Sequence, residues 1–256
     1  MSVAAGTSAG DLLLLAAAGL AAGTINGVAG GGTLASFPAL LATGLPALRA
    51  NITSTVGIWP GYLGGVAGFR KEVGDQPKRV ARYSLPAFLG ALGGALLLLV
   101  TPSGAFTRVV PYLVLLASAL FAAQPVLAKA LQRHQHEHPE RTKAAWVGTL
   151  LGAVYGGYFG AGLGVVLLAL LGIALPDKLV RTNGLRSVLS LVVNTGALLV
   201  FLVHGQVAWA DAGVLAGCSL VGGYGGARLA RRLPTVVFRI VVIALGLATA
   251  IKLFVG

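Results

Sequence analysis

Apolar runs separated by short polar loops fill the chain. Ten can be marked, at about 12–29, 33–47, 50–69, 83–100, 109–128, 144–160, 163–176, 182–203, 210–227 and 236–255. Several approach or reach the ~20 residues that carry a helix across a bilayer core. No stretch alternates polar and apolar over ten residues, as the strands of a membrane barrel would. The pattern predicts an all-α polytopic membrane protein. Segments two and seven are short, and each follows a glycine break. Pro60 in segment three and Pro125 in segment five predict kinks. Membrane helices tolerate these where neighbouring helices or water satisfy the freed backbone groups.

The breaks belong to a repeat. GTINGVAGGGTLASFPALLATGLPALRANITSTV (23–56) returns as GGYFGAGLGVVLLALLGIALPDKLVRTNGLRSV about 130 residues later. At an offset of 130, Gly27, Gly30 and Gly32 fall on Gly157, Gly160 and Gly162. Ala-Leu-Leu and Leu-Pro recur at the same offset. A two-residue insertion then shifts it to 132, and Arg49, Asn51 and Thr55 fall on Arg181, Asn183 and Ser187. The ordered series marks a duplicated unit, which constrains the fold before any single residue does.

Polar loops orient the spans. With 70–82 in the cytoplasm and alternation outward from it, loops 70–82, 129–143, 177–186 and 228–239 lie inside. They hold sixteen of the 19 Lys and Arg residues, leaving Arg49, Arg108 and Lys252 outside. Both termini are then non-cytoplasmic. The first apolar run stays as a helix, because MSVAAGTSAGD lacks the positive charge of a secretory signal. Segment three runs inward and its partner, segment eight, runs outward. The expected architecture is two inverted five-segment repeats, 1–128 and 144–256, joined by a cytoplasmic linker at 129–143. If the glycine-broken pairs are re-entrant hairpins, the parity is unchanged, so about eight to ten membrane segments are expected. Inverted repeats with short, glycine-interrupted helices at matched positions are the signature of a secondary transporter.

Composition sharpens this. The 256 residues are 56% hydrophobic and only 10% charged, against about a quarter in soluble domains, and mean hydropathy is +0.87. The net charge of +12 reads as loop charge retained in the cytoplasm and not as a nucleic-acid surface. The one cysteine, Cys218, excludes a disulfide framework.

Candidate chemistry centres on the breaks. Gly30, Gly31 and Gly32, and Gly160, Ala161 and Gly162, let the chain leave one helix and restart another near Thr33 and Leu163. A restarting helix presents backbone N–H groups and the positive end of its dipole, which suits an anion. The competing reading is close helix packing through small residues. Asn51 and Asn183 precede apolar runs and read as N-caps. Thr53, Ser54, Thr55 and Ser187 then offer first-turn hydroxyls, which also serve as helix–helix contacts. Arg186 replaces Ser54 in the second copy. It is either an interior charge serving function or an arginine snorkelling to the cytoplasmic edge. His134, His136 and His138 read as a solvated linker and not a metal cage, and His204 stands at an outer helix end. No cofactor is called for, and no catalytic set is present, so an enzyme is not expected. All seven acids, Asp11, Glu72, Asp75, Glu137, Glu140, Asp177 and Asp211, lie at helix ends or in loops. A basic interior without acids suits a small anionic substrate.

On GTINGVAGGGTLASFPALLATGLP followed by RANITSTV, with its weaker second copy, the chain resembles the TauE/SafE-like sulfite exporter family, also called TSUP. The resemblance covers essentially the whole chain. It implies a permease of the plasma membrane, the bacterial inner membrane, that exports sulfite or a related organosulfonate. Another small organic anion, or a non-transporting scaffold, is the alternative. By the same likeness, the two glycine clusters with 51–55 and 183–187 are the expected binding regions. The second copy departs from the pattern at Gly-Ala-Gly and at Arg186, so the half-sites differ chemically.

Overall fold

The computed structural model describes residues 8–28, 30–133, 140–229 and 235–255. Among these, the regular structure is helical throughout. The helices are α1 (Ala9–Val28), α2 (Thr33–Ala42), α3 (Ala47–Gly68), α4 (Arg70–Gly74), α5 (Pro77–Val100), α6 (Ser103–Arg133), α7 (Thr142–Tyr158), α8 (Leu163–Ala174), α9 (Leu179–His204), α10 (Trp209–Leu229) and α11 (Thr235–Val255). Each of the ten apolar runs became one helix, and α4 is an extra turn in the first basic loop. The protein is a polytopic helical membrane protein. α1, α5, α6 and α9 are long and apolar enough to cross a bilayer, whereas α2 and α8 are short apolar helices. Large apolar side chains such as Leu13, Val100, Val126, Leu151, Val203 and Ile251 are exposed on the outer surface, where lipid tails cover them.

Hydropathy places some boundaries late. α3 and α9 begin at Ala47 and Leu179, not at 50 and 182, and their N-caps are Pro46 and Lys178. Asn51 and Asn183 are therefore fifth residues of their helices and do not cap them. α6 runs on to Arg133, past the end at 128 that hydropathy sets for segment five.

Helix partners exchange between the halves. α1 packs on α10 and α3, while α7 packs on α5 and α9. α10 lies on α3 as α5 lies on α9, and α3 and α9 touch each other. Glycine permits these approaches. A Cβ on Gly23 of α1 would lie 2.1 Å from the Ser219 carbonyl oxygen, and one on Gly94 of α5 would lie 2.1 Å from that of Val154. Gly61 and Gly64 press on α10 in the same way, so the packing reading holds for them.

Candidate functional site

The two breaks are built alike. Gly30 and Gly160 take φ of +73° and +75°, where a side chain is strained. Each closes its preceding helix with a bond back five residues. The Gly30 amide donates to the Ile25 carbonyl at 3.0 Å, and that of Gly160 to Tyr155 at 3.3 Å. Each next helix restarts through matched bonds, Ala35 to Gly32 and Val165 to Gly162, both 2.9 Å. The restarts fall at Thr33 and Leu163, as the glycine pattern predicts.

The breaks also meet each other. The Gly164 amide, in the first turn of α8, donates to the Gly30 carbonyl at 3.0 Å. A Cβ on Gly160 would stand 3.9 Å from Thr33 Oγ1. Phe37 of α2 packs edge-on against Phe159, the rings 5.6 Å apart and at 84°. The N-terminal ends of two short helices thus come together. With 10 and 12 residues they span about 15 and 18 Å, each roughly half of a ~30 Å hydrocarbon core. Two positive dipole ends converge at one point inside the bundle.

Arg186 occupies that point. It is 1% exposed and the largest fully buried side chain of the described residues. Its Nη1 would be 3.4 Å from a Cβ on Gly30. The guanidinium is in the interior and not snorkelling. It sits eight residues into α9, beyond the first turn where the hydropathy boundary had put it. Tyr62 of α3 lies close enough to act on it electrostatically. The Tyr62 hydroxyl is in turn flanked by the side chains of Asn26 and Asn194.

The other expected residues are divided. Gly31 and Gly162 face α6, where a Cβ would meet the Phe121 ring at 2.8 Å and Ala117 at 3.5 Å. The Gly32 amide donates to Asn26 Oδ1 at 2.7 Å, so that donor is already used. Ala161 is buried, and its carbonyl accepts the Tyr155 hydroxyl. Asn51 is buried and donates through Nδ2 to the Tyr158 carbonyl at 3.0 Å, tying α3 to the end of α7. Its Oδ1 has no partner. Ser54 Oγ and Ser36 Oγ of α2 share a 2.6 Å hydrogen bond. Thr55 donates back to the Asn51 carbonyl. Thr53 Oγ1 accepts the Ala208 amide at the start of α10. Asn183 is half-buried and donates to Leu179 of its own helix. Ser187 lies against Gly65 of α3. His134, His136 and His138 fall outside the described residues.

The two matched breaks bring the N-termini of α2 and α8 together beside Arg186. The family model described as Sulfite exporter TauE/SafE matches residues 15–253. The chain belongs to the TauE/SafE family. A "Probable membrane transporter protein YfcA" of Escherichia coli K12 is 30% identical over 217 residues, 83% of this chain and 76% of its own. A "Probable membrane transporter protein" of Haemophilus influenzae is 28% identical over 227 residues, 86% and 85% of the two chains. One from Sinorhizobium, ORF9, is 27% identical over 251 residues, 94% and 92%. The protein is thus a multi-pass member of a transporter family, acting on a small molecule within the lipid bilayer.

In this TauE/SafE chain the polar loops join on one side. Arg79 of α5 pairs with Glu140 at 2.8 Å and with Asp177. Arg181 lies 3.5 Å from Asp177 and donates to the Asp75 carbonyl. Gln76 Nε2 donates to the Arg181 carbonyl at 2.8 Å. Three of the four basic loops assigned to the cytoplasm are therefore in mutual contact. The α9–α10 turn, by contrast, meets the start of α3 at the Thr53–Ala208 bond.

Proposed function

We propose that the protein is a permease that exports a small anion, sulfite or a related organosulfonate, across the plasma membrane. Its halves are inverted repeats, with both termini outside. The observation that carries the reading is Arg186, a fully buried cation at the place where the N-termini of α2 and α8 converge. A charge in a membrane interior is expensive and defaults to function. A guanidinium beside two helix N-termini is a setting that suits an anion. The matched breaks, the exchanged helix partners and the one-sided basic loops support the inverted arrangement. A scaffold has no use for a buried cation between paired half-helices. Another small organic anion fits the same field, and the flux assay separates the two.

Purified protein in liposomes, loaded with sulfite, is the test. Protein-dependent sulfite efflux, competed by methanesulfonate, is the expected result. Efflux no faster than from empty liposomes contradicts the reading. Transport of a carboxylate but not sulfite moves the substrate to the organic-anion alternative.

A further inference from the structure

α3 and α9 run in opposite directions against each other, and each is covered near its start by a turn from the other half. Gly205 ends α9 and faces Ile52 of α3, where a Cβ on the glycine would lie 3.0 Å from Ile52 Cγ2. α4 follows α3 and faces Gly184 of α9. A Cβ on Gly184 would lie 2.9 Å from Glu72 Cβ and 3.6 Å from the Val73 amide nitrogen. The repeat relates these two contacts. At the offset of 132, Ile52 falls on Gly184 and Val73 falls on Gly205. A polar bond accompanies each contact. The Ala208 amide donates to Thr53 Oγ1 at 3.0 Å. Gln76, which falls on Ala208 at the same offset, donates through Nε2 to the Arg181 carbonyl at 2.8 Å.

Both turns lie just outside the layer of the glycine breaks. Two residues inward from Ile52 is Ser54, bonded to Ser36 of α2. Two residues inward from Gly184 is Arg186, beside Gly30. Both residues are buried. α9 has 26 residues and is about 39 Å long, so the two turns close opposite ends of the bundle. The closures differ in chemistry. On the side of the basic loops, Gln76 is buried, Arg181 donates to the Asp75 carbonyl, and Arg79 pairs with Asp177 and Glu140. At the other end, among the described residues, Ile52 meets Gly205 and Thr53 accepts the Ala208 amide.

We propose that the α4–α5 and α9–α10 turns are the two gates of the transport path, both closed in this structure, and that the Gln76–Arg181 bond latches the gate on the basic side. The inference rests on the permease reading above. A buried site must be reached from each compartment in turn, and short segments seated by few bonds open at a fraction of the global stability. Gly184 and Gly205 let each turn seat closely on the opposing helix. The latch makes the basic-side gate the harder one to open.

The test uses the full chain in a Cys218→Ser background, which has no other thiol. Glu72→Cys with Gly184→Cys places two thiols across the basic-side gate. Oxidation to a disulfide should cut sulfite flux in liposomes about tenfold or more, and a reductant should restore it, while the Cys218→Ser parent ignores both. Undiminished flux from fully cross-linked protein overturns the proposal, because a static contact tolerates the bond. So does a pair that oxidation fails to join. A second measurement needs no transport. Ser187 is buried and lies three residues inward of Gly184. In detergent, Ser187→Cys should react with a maleimide about tenfold or more faster once Gln76→Ala is added. Ser84→Ala, whose hydroxyl bonds the Val80 carbonyl of its own helix, should leave that rate unchanged. An equal rate with and without Gln76→Ala overturns the latch. A wild type that moves no sulfite removes the permease reading instead, and the labelling rates still decide whether the turn closes over Ser187.

Discussion

The Gly164 amide donates to the Gly30 carbonyl across 3.0 Å, and a Cβ on Gly30 would lie 2.6 Å from Gly164 Cα. The two halves of the protein thus touch backbone to backbone, with Arg186 beside the contact. No side chain fits there, and φ of +73° disfavours one in any case. Gly30→Ala is expected to cost on the order of 1–3 kcal/mol. Gly93→Ala, in helix α5 with open space around it, should be neutral or mildly stabilising. Melting temperatures of the two variants in detergent check this. A Gly30→Ala protein as stable as Gly93→Ala would mean that the backbone junction is dispensable.

The Arg79 cluster ties three loops together but is partly exposed, with Arg79 at 22% and Glu140 at 33%. Screening limits such pairs to about 0–1 kcal/mol each. Arg79→Ala should lower the melting temperature by a few degrees at low salt, and the gap should narrow at high salt. A deficit that is independent of salt would assign Arg79 a packing role instead.

Orientation is open to labelling. In a Cys218→Ser background, Lys78→Cys and Arg133→Cys occupy exposed positions on the basic side, and Ser103→Cys an exposed position on the other. Gln76 is unsuitable, being buried and bonded to Arg181. In intact cells an impermeant maleimide should label only Ser103→Cys. Labelling of Lys78→Cys and Arg133→Cys with sparing of Ser103→Cys would reverse the topology.

Much of this was legible in the chain. The glycine series located both restarts, Thr33 and Leu163, because glycine is what a helix break at positive φ requires. The starts of α3 and α9 were not legible. Their first turns carry Arg49 and Arg181, and hydropathy assigns charged residues to loops even when they are helical. That error made N-caps of Asn51 and Asn183. Thr182, Arg186, Ser190 and Asn194, buried at four-residue steps on α9, form a polar period in the sequence that hydropathy overlooks. Asn26 and Tyr62 carried no such signal. Each is a single polar residue in an apolar helix, and only the packing of α1 and α3 around α9 gives it neighbours.

In the proposed function Arg186 holds the charge of the transported anion. An inside-negative membrane drives anions outward by about 2.3 kcal/mol per charge per 100 mV. The chain places no acid in mid-span to carry protons, so export need not be coupled to them. The direct test is sulfite flux in liposomes with a clamped potential and equal pH on both sides, for wild type, Arg186→Lys and Arg186→Gln. Flux should follow the imposed voltage in the wild type and persist in part with lysine. With glutamine the KM should rise more than tenfold. Near-wild-type KM in Arg186→Gln, or wild-type flux that ignores voltage and answers only to a proton or sodium gradient, would contradict the account.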